Sequence, residues 1–223
     1  MTLQLVIGNK NYSSWSMRPW VLLRQSAIAF EEVQLKFGER DGGLTVPGIE
    51  KYSAAGKVPV LIIDGEPVWD SLAICETVAE MHPTKHLWPE DELARRVARS
   101  ICAEMHSGFQ ALRGAMPMNI RTRYPGKGLT PKSQKDIDRV VEIWSDCRER
   151  FGGAGNFLFG RFSIPDAFYA PVVMRFHAYA VKLPPLAQAY CEAVHELSAV
   201  KEWKEAARRE TEFVPEDEPY AKK

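Results

Sequence analysis

Two adjacent serines, Ser13 and Ser14, stand where an apolar N-terminal stretch gives way to a helical pattern. A hydroxyl at that position can donate a hydrogen bond to a thiolate, and the positive end of the helix adds further stabilisation. Such a site lowers the pKa of a thiol and ionises it near neutral pH. Serine is also a common helix N-cap, so spacing alone leaves the catalytic and capping interpretations equally open. Tyr12 is a third candidate, because a phenol can hold a thiolate as well as pack.

A second set of candidate residues surrounds a proline that directly precedes an apolar run. Pro59 stands before the strand-like residues 60–63, where a residue without an N–H is tolerated. The backbone of the preceding residue, Val58, is then left free for a ligand. Lys57 can pair with a carboxylate as a point charge, although an ordinary solvated lysine is the alternative.

Asp70 and Ser71 open the next helix, whose positive end attracts carboxylates. An acid at a helix N-terminus also stabilises the helix itself, so this position does not by itself indicate a ligand. Together with the free backbone of Val58, the pair predicts a site for a small, peptide-like anion.

The elements needed to position these residues can be read from the first 81 residues. Residues 3–7 predict a buried strand, 15–27 a helix and 31–35 a second strand, which completes a β-α-β unit. Residues 37–55 are rich in glycine and are predicted to be irregular and mobile. Strands are expected at 59–63 and 67–69, followed by a helix over 71–81.

The remainder of the chain has a helical texture. Prolines bracket residues 82–90, which predicts a linker between domains 1–83 and 90–223. Ser163 and Asp166 form a variant capping box whose removal is expected to destabilise the fold rather than the chemistry. The tail, 214–223, is polar and is expected to pack loosely. Helices are predicted over 93–116, 131–151, 165–181, 185–197 and 200–209.

Composition excludes several function classes. Lys plus Arg equals Asp plus Glu at 29 each, so no overall field attracts nucleic acid or an anionic membrane. The N-terminus has no leader pattern, no apolar run is long enough to span a bilayer, and a cytoplasmic protein is expected. The four cysteines are far apart and predict reduced core thiols, and the scattered histidines predict no metal site.

Three separate motifs resemble the glutathione transferase family. They are the strand, loop and helix around Asn11-Tyr12-Ser13-Ser14-Trp15-Ser16-Met17-Arg18-Pro19, the Val58-Pro59 and Asp70-Ser71 region, and Gly160-Arg161-Phe162-Ser163-Ile164-Pro165-Asp166. The resemblance implies a thioredoxin-like α/β N-terminal domain with a mixed four-stranded sheet and an all-α C-terminal domain. It also implies a homodimer that uses glutathione as cosubstrate and needs no metal.

The resemblance also implies roles for individual residues. Pro59 would be cis, Val58 would pair with the cysteinyl part of glutathione, and Asp70 and Ser71 would hold the γ-glutamyl end. Alignment with the Ser-Ser-Cys-Ser-Trp-Arg pattern of zeta-class members places Ser13 at the catalytic position, with Ser14 a close second. Tyr12 and Lys57 complete the expected glutathione site, and His106, Phe109, Arg113 and Met116 are candidate walls of the electrophile pocket.

The leading hypothesis is a serine-type glutathione transferase whose thiolate attacks a small electrophile. A glutathione-dependent maleylacetoacetate or maleylpyruvate isomerase is an alternative. Trp15, which replaces the zeta-class cysteine, and the lack of an obvious arginine pair argue against it, although Arg113, Arg121 or Arg175 can serve. A non-catalytic binding module of the same fold is the rival from another class. A glutaredoxin-like reductase is disfavoured because no cysteine begins the first helix.

Overall fold

All the strands formed by the described residues lie in the first third of the chain. The computed structural model describes residues 2–40 and 43–221. The strands are β1 (Leu3–Ile7), β2 (Glu31–Gln34), β3 (Gly38–Arg40), β4 (Gly43–Thr45), β5 (Val60–Ile63) and β6 (Glu66–Val68).

Among the described residues, one α-helix lies between strands and seven follow the last strand. Helix α1 packs against α2 in the N-terminal part and against α6 and α8 in the helical part, so it links the two. The helices are α1 (Ser14–Gln25), α2 (Ser71–Met81), α3 (Glu92–Ser107), α4 (Gln110–Ala115), α5 (Pro131–Phe151), α6 (Ile164–Tyr179), α7 (Pro185–Glu196) and α8 (Ser198–Arg209).

The central sheet is mixed and has the order β2-β1-β5-β6. Strand β1 runs parallel to β2 and antiparallel to β5, which is in turn antiparallel to β6. Val6 in β1 is fully buried and lies opposite both Val33 and Val60. This arrangement confirms the thioredoxin-like N-terminal domain and the all-α C-terminal domain that follows it. The exact division into 1–83 and 90–223 stays a prediction.

Several predicted elements coincide closely with the structure. Strand β1 and helices α2 and α5 have the predicted bounds, and Ser13 is the N-cap of α1. All four cysteines are buried and free, as expected of core thiols. None of the helices among the described residues is both long enough and apolar enough to cross a membrane.

Two predictions about secondary structure were wrong. Within 37–55, β3 pairs with β4 as a short antiparallel hairpin and Ile49–Lys51 forms one 3₁₀ turn, although residues 41 and 42 lie outside the described residues. The predicted helix over 93–116 is interrupted, since Gly108 ends α3 and Phe109 takes a positive φ of 59° before α4. A hydrogen bond to α5 supports the start of α4, because the backbone N–H of Leu112 donates to Asp136 at 2.9 Å.

The start of α6 is held by a buried carboxylate. Asp166 Oδ2 accepts from the backbone N–H of Ser163 at 2.9 Å and from the Ser163 hydroxyl at 3.1 Å. Its other oxygen accepts from the backbone N–H of Leu158 at 3.1 Å. Asp166 is fully buried, and it fixes both the start of α6 and the preceding loop. This confirms the predicted capping interaction.

We predict that Asp166→Ala lowers the free energy of unfolding by about 3 kcal/mol, because it leaves buried donors without an acceptor. Chemical denaturation of the variant measures this loss. Asp138→Ala is the matched control, since Asp138 is exposed on α5 and, within the described part of the chain, accepts only from Gln134. It is expected to change stability by less than about 0.5 kcal/mol. Equal losses in the two variants would contradict the assigned role of Asp166.

Candidate active site

The two serines at the start of α1 have different hydrogen-bond partners. Ser13 Oγ accepts from the backbone N–H of Ser16 at 3.4 Å and donates to the Ser16 hydroxyl at 2.7 Å. Ser16 Oγ in turn accepts from the backbone N–H of Gly8 at 3.1 Å. The hydroxyl proton of Ser13 is therefore held inside the helix start.

Ser14 presents the opposite arrangement. Its Oγ accepts a hydrogen bond from Arg175 Nη2 at 3.1 Å. Its own proton has no acceptor among the described residues, so it remains available for a ligand. Ser14 is also the first residue of α1, where unpaired backbone N–H groups create a positive potential.

A cavity of about 490 Å³ opens in front of both serines. A second cavity of about 500 Å³ is adjacent to it, since Trp15, Lys57 and Val58 line both. The combined space has the size of a typical small-molecule site. The first cavity is also lined by Tyr12, Ser13, Ser14, Phe37, Val46, Gly56, Gln110, Arg113, Gly114, Pro117, Arg175 and Asp217, and the second by Ala55, Pro59, Trp69 and Asp70.

The Val58–Pro59 peptide bond at the junction of the two cavities is cis, as the family resemblance implied. Val58 lies outside β5, and its backbone N–H and C=O have no partner among the described residues. It therefore offers one donor and one acceptor to a ligand with a peptide backbone. Lys57 beside it is exposed.

Asp70 and Ser71 mark the far end of the second cavity. Asp70 Oδ1 accepts from the backbone N–H of Leu72 at 3.1 Å and caps α2, while Oδ2 lies 3.0 Å from His106 Nε2. Ser71 is fully buried, with Arg18 Nη1 3.5 Å from its hydroxyl. Asp70 lines the second cavity, whereas Ser71 lines neither cavity.

The Tyr12 hydroxyl is engaged away from the cavity. It lies 2.8 Å from Glu218 Oε1 and 2.8 Å from Arg121 Nη2. Burial, together with the hydrogen bond to Glu218, raises the pKa of Tyr12 to about 12. Tyr12 thus lines the cavity with its ring, while its phenol ties the chain's C-terminal segment to the N-terminal domain.

That C-terminal segment is well packed, and the prediction of a loose tail was wrong for 214–221. Val214 is buried, the Tyr124 hydroxyl donates to Glu218 at 2.6 Å, and the Tyr220 hydroxyl donates to the carbonyl of Ala115 at 2.8 Å. Aromatic and buried acidic groups hold the tail despite its polar composition. Its Asp217 lines the cavity, and burial raises the pKa of that carboxyl to about 6.

Three arginines, two of them against Trp15, place positive charge in or near the first cavity. The guanidinium carbons of Arg18 and Arg113 lie 4.2 Å and 4.3 Å from the Trp15 ring centroid. Arg113 donates to backbone carbonyls, and Arg175 donates to the carbonyl of Met116 and to Ser14. Among the described residues, no carboxylate forms an ion pair with any of the three.

Two of these arginines, Arg18 and Arg175, are buried. Burial, followed by the charges of Arg113 and Arg175, lowers the pKa of Arg18 to about 9. Burial and Arg113 lower the pKa of Arg175 to about 10. Both remain protonated at neutral pH. Arg113 and Arg175 line the first cavity together with Asp217, whereas Arg18 lies outside the lining, so two guanidinium groups can attract an anionic ligand there.

The four residues predicted to line the electrophile pocket do not lie together in the structure. Arg113 lines the first cavity, and His106 instead reaches Asp70. Phe109 and Met116 are buried in the hydrophobic core and do not line either cavity.

Other lining residues were not singled out from the sequence. Gln110, Pro117 and Asp217 carry no local signal of a site. Arg175 is the exception. It lies in the mostly apolar sequence of α6, and an arginine in such a segment indicates a buried charge that has a structural or functional role. Arg121, the other arginine considered, binds Tyr12 and the C-terminal segment instead. Among the described residues, no group of three or more ligating side chains can hold a metal ion.

Comparisons with known proteins agree with this architecture. Residues 12–81 match the family model "Glutathione S-transferase, N-terminal domain", and residues 129–206 match "Glutathione S-transferase, C-terminal domain". The maleylacetoacetate isomerase of Mus musculus is 32% identical over 174 residues, which cover 78% of each chain. This chain belongs to the glutathione S-transferase family. It is a glutathione-dependent enzyme, with glutathione as its cosubstrate.

Other glutathione transferases and related proteins are similar to this chain in sequence or in structure. A probable maleylacetoacetate isomerase of Caenorhabditis elegans is 33% identical over 99 residues, which cover 44% of each chain. Among solved structures, a glutathione transferase homologue from Burkholderia gl BGR1, with bound glutathione, superposes with a TM-score of 0.70 at 21% identity, covering 93% of this chain and 99% of that one. A diazinon-metabolizing glutathione S-transferase of Bombyx mori gives 0.69 at 13% identity, with coverage of 94% and 98%. These structures share the fold.

Proposed function

We propose that Ser14 is the group that stabilises the glutathione thiolate in this transferase. The observation that carries the proposal is the Arg175–Ser14 hydrogen bond at the mouth of the first cavity. Because Arg175 donates to the Ser14 oxygen, the Ser14 proton is directed to another acceptor. A sulfur atom in the cavity is that acceptor.

The choice of Ser14 over Ser13 follows from geometry rather than from alignment. Zeta-class alignment favours Ser13, but the proton of Ser13 is given to Ser16. Three effects meet at Ser14: a free hydroxyl proton, the N-terminus of α1 and the charge of Arg175. Each pKa unit removed from a thiol of ordinary pKa near 8.5 corresponds to about 1.4 kcal/mol.

The remainder of glutathione fits the second cavity by charge. We place its cysteinyl backbone against the free N–H and C=O of Val58 and its α-ammonium on Asp70. Its γ-glutamyl carboxylate faces the N-terminus of α2, where the potential is positive. The buried side chain of Ser71 does not reach it. Lys57, at the junction of the cavities, is placed to pair with the glycine carboxylate.

The electrophile then occupies the first cavity between Ser14 and the walls that carry Arg113 and Gln110. The thiolate forms a bond to the electrophilic carbon, and the displaced electron pair leaves with a halide or moves onto an activated alkene. Binding in one cavity beside the other brings the two reactants together in a fixed orientation.

We predict that Ser14→Ala lowers glutathione-dependent turnover of an aryl halide by about 10- to 100-fold, the effect of losing one hydrogen bond to an anion. Ser13→Ala is expected to cost about 1 kcal/mol of stability, as a lost N-cap, and less than about threefold in turnover. Steady-state kinetics and denaturation measure the two effects. Ser100→Ala is the control, since Ser100 is exposed on α3. The reverse order of the two activities would exclude Ser14.

A second candidate function is the cis–trans isomerisation of a maleyl keto acid. The sequence offered no obvious arginine pair, but the structure brings Arg113 and Arg175 to one cavity without ion-pair partners. Two guanidinium groups suit a substrate with two carboxylates. The relatives named maleylacetoacetate isomerase support this candidate. Trp15 stands where zeta-class members have cysteine, so the thiolate of glutathione alone must act.

Arg113 allows a test that leaves the thiolate site intact. If the isomerase candidate is correct, Arg113→Gln raises the KM for a maleyl keto acid about tenfold, through the loss of one charged hydrogen bond, and leaves the KM for an uncharged aryl halide within about twofold. Arg99→Gln is the control, because Arg99 is half-exposed and lies near Glu76. Absence of cis–trans conversion by the native enzyme, followed spectroscopically, would contradict the isomerase candidate.

We further propose that the enzyme is a cytoplasmic homodimer. Family membership supports dimerisation, and the four buried, free thiols fit a reducing compartment. Light scattering on the purified chain distinguishes a dimer from a monomer of 25.2 kDa.

A further inference from the structure

His106 carries a contact from the helical domain to the proposed glutathione site. It lies in the last turn of α3, and its Nε2 is 3.0 Å from Asp70 Oδ2. The other oxygen of Asp70 accepts from the backbone N–H of Leu72 at 3.1 Å. Both oxygens of the carboxylate are therefore held in place, one by its own helix and one by α3.

The surroundings of the imidazole favour a neutral ring that donates from Nε2. Its Nδ1 is buried without a hydrogen-bond partner, and its ring meets the Trp15 ring edge-on at 5.1 Å. Burial lowers the pKa of His106 below its usual range, and the charges of Arg18 and Arg113 act in the same direction against Asp70. A neutral imidazole next to a carboxylate places its proton on the nitrogen that faces the carboxylate.

The contact is not needed to complete α2. Oδ1 already provides the N-cap of that helix, and the Asp70 side chain is 54% exposed. A half-exposed pair between two elements adds little to stability. Its clearer effect is to select one orientation of a side chain that lines the second cavity.

We propose that His106 is a positioning residue for glutathione binding, which orients the Asp70 carboxylate to accept the α-ammonium group of the γ-glutamyl end. This inference rests on the proposed glutathione site. A carboxylate oxygen has two lone-pair sites, so Oδ2 accepts from His106 and from the ammonium group together. The electrophile cavity is not involved, because His106 does not line it.

Three variants test the proposal by calorimetric titration with glutathione and by steady-state kinetics. His106→Ala is expected to raise both the Kd and the KM for glutathione about tenfold, the effect of losing orientation of one charged acceptor, while kcat at saturation and the KM for an aryl halide stay within about twofold. His106→Gln carries an amide nitrogen that can reach the position of Nε2, and it restores the Kd to within about threefold. His86→Ala is the matched control, since His86 lies on the surface beside Glu90 and leaves both constants unchanged.

The pH dependence separates positioning from a purely structural role. The groups that face the imidazole are Asp70 from the start of α2, Arg18 from α1 and Arg113 from α4. The pKa of His106 lies below the ordinary histidine value because of burial. As pH falls through that lowered pKa, His106 gains a positive charge next to the ammonium group of the ligand, so the glutathione affinity of the native enzyme falls. His106→Gln does not titrate, and it loses this fall in affinity.

The possible outcomes distinguish this inference from the function on which it rests. Absence of saturable binding to the native enzyme at millimolar glutathione would remove the proposed site and the role of His106 with it. Native binding with an unchanged Kd in His106→Ala would overturn the inference alone. A loss of kcat without a change in Kd, or the same acid dependence in His106→Gln, would do so as well.

Discussion

The hydrogen bond from Arg175 to Ser14 is the interaction on which the proposed chemistry depends. Arg175 is buried on α6, and a buried charge without an ion-pair partner is costly unless its donors are satisfied. The carbonyls of Met116 and Pro171 take two of those donors, and Ser14 takes a third. Arg175 lines the first cavity, where the carboxyl of Asp217 also acts on its charge and a bound thiolate would add a further negative charge.

The same hydrogen bond joins one residue from each domain, so the proposed site depends on both domains. Ser14 belongs to the thioredoxin-like domain and Arg175 to the helical one, so the two domains must hold their relative position for the hydroxyl to be oriented. The packing of α1 against α6 provides that position. The C-terminal segment adds a further tie through Glu218, which binds both Tyr12 and Tyr124. A second contact between domains, His106 with Asp70, lies at the other end of the ligand site.

Local signals in the sequence were sufficient for much of the fold. The N-cap Asp70 and the apolar spacing after it placed α2, and Pro131 marked the start of α5. The α3–α4 interruption was not predictable, because Phe109 adopts a positive φ in a segment whose spacing continues a helix. The β3–β4 hairpin was missed because its strands are three residues each.

The residues of the candidate site also fall into two groups: those that local sequence motifs predict and those that only the folded structure brings together. Pro59 and Asp70 are local motifs, and both line the second cavity; their roles in binding glutathione stay predictions. The distinction between Ser13 and Ser14 depends on Ser16 for one and on Arg175, 161 residues away, for the other. Spacing cannot report a partner that only tertiary packing delivers. The same holds for Asp217, which the folded C-terminal segment brings to the cavity wall.

The most direct measurement is a pH titration of the ultraviolet absorbance of the thiolate of glutathione bound to the native enzyme. If Ser14, the start of α1 and Arg175 act together on the sulfur, the thiol of bound glutathione titrates one to two units below the value of about 8.5 for a free thiol. Loss of the Ser14 hydroxyl then returns it towards that value. A bound thiol that titrates like free glutathione would contradict the account.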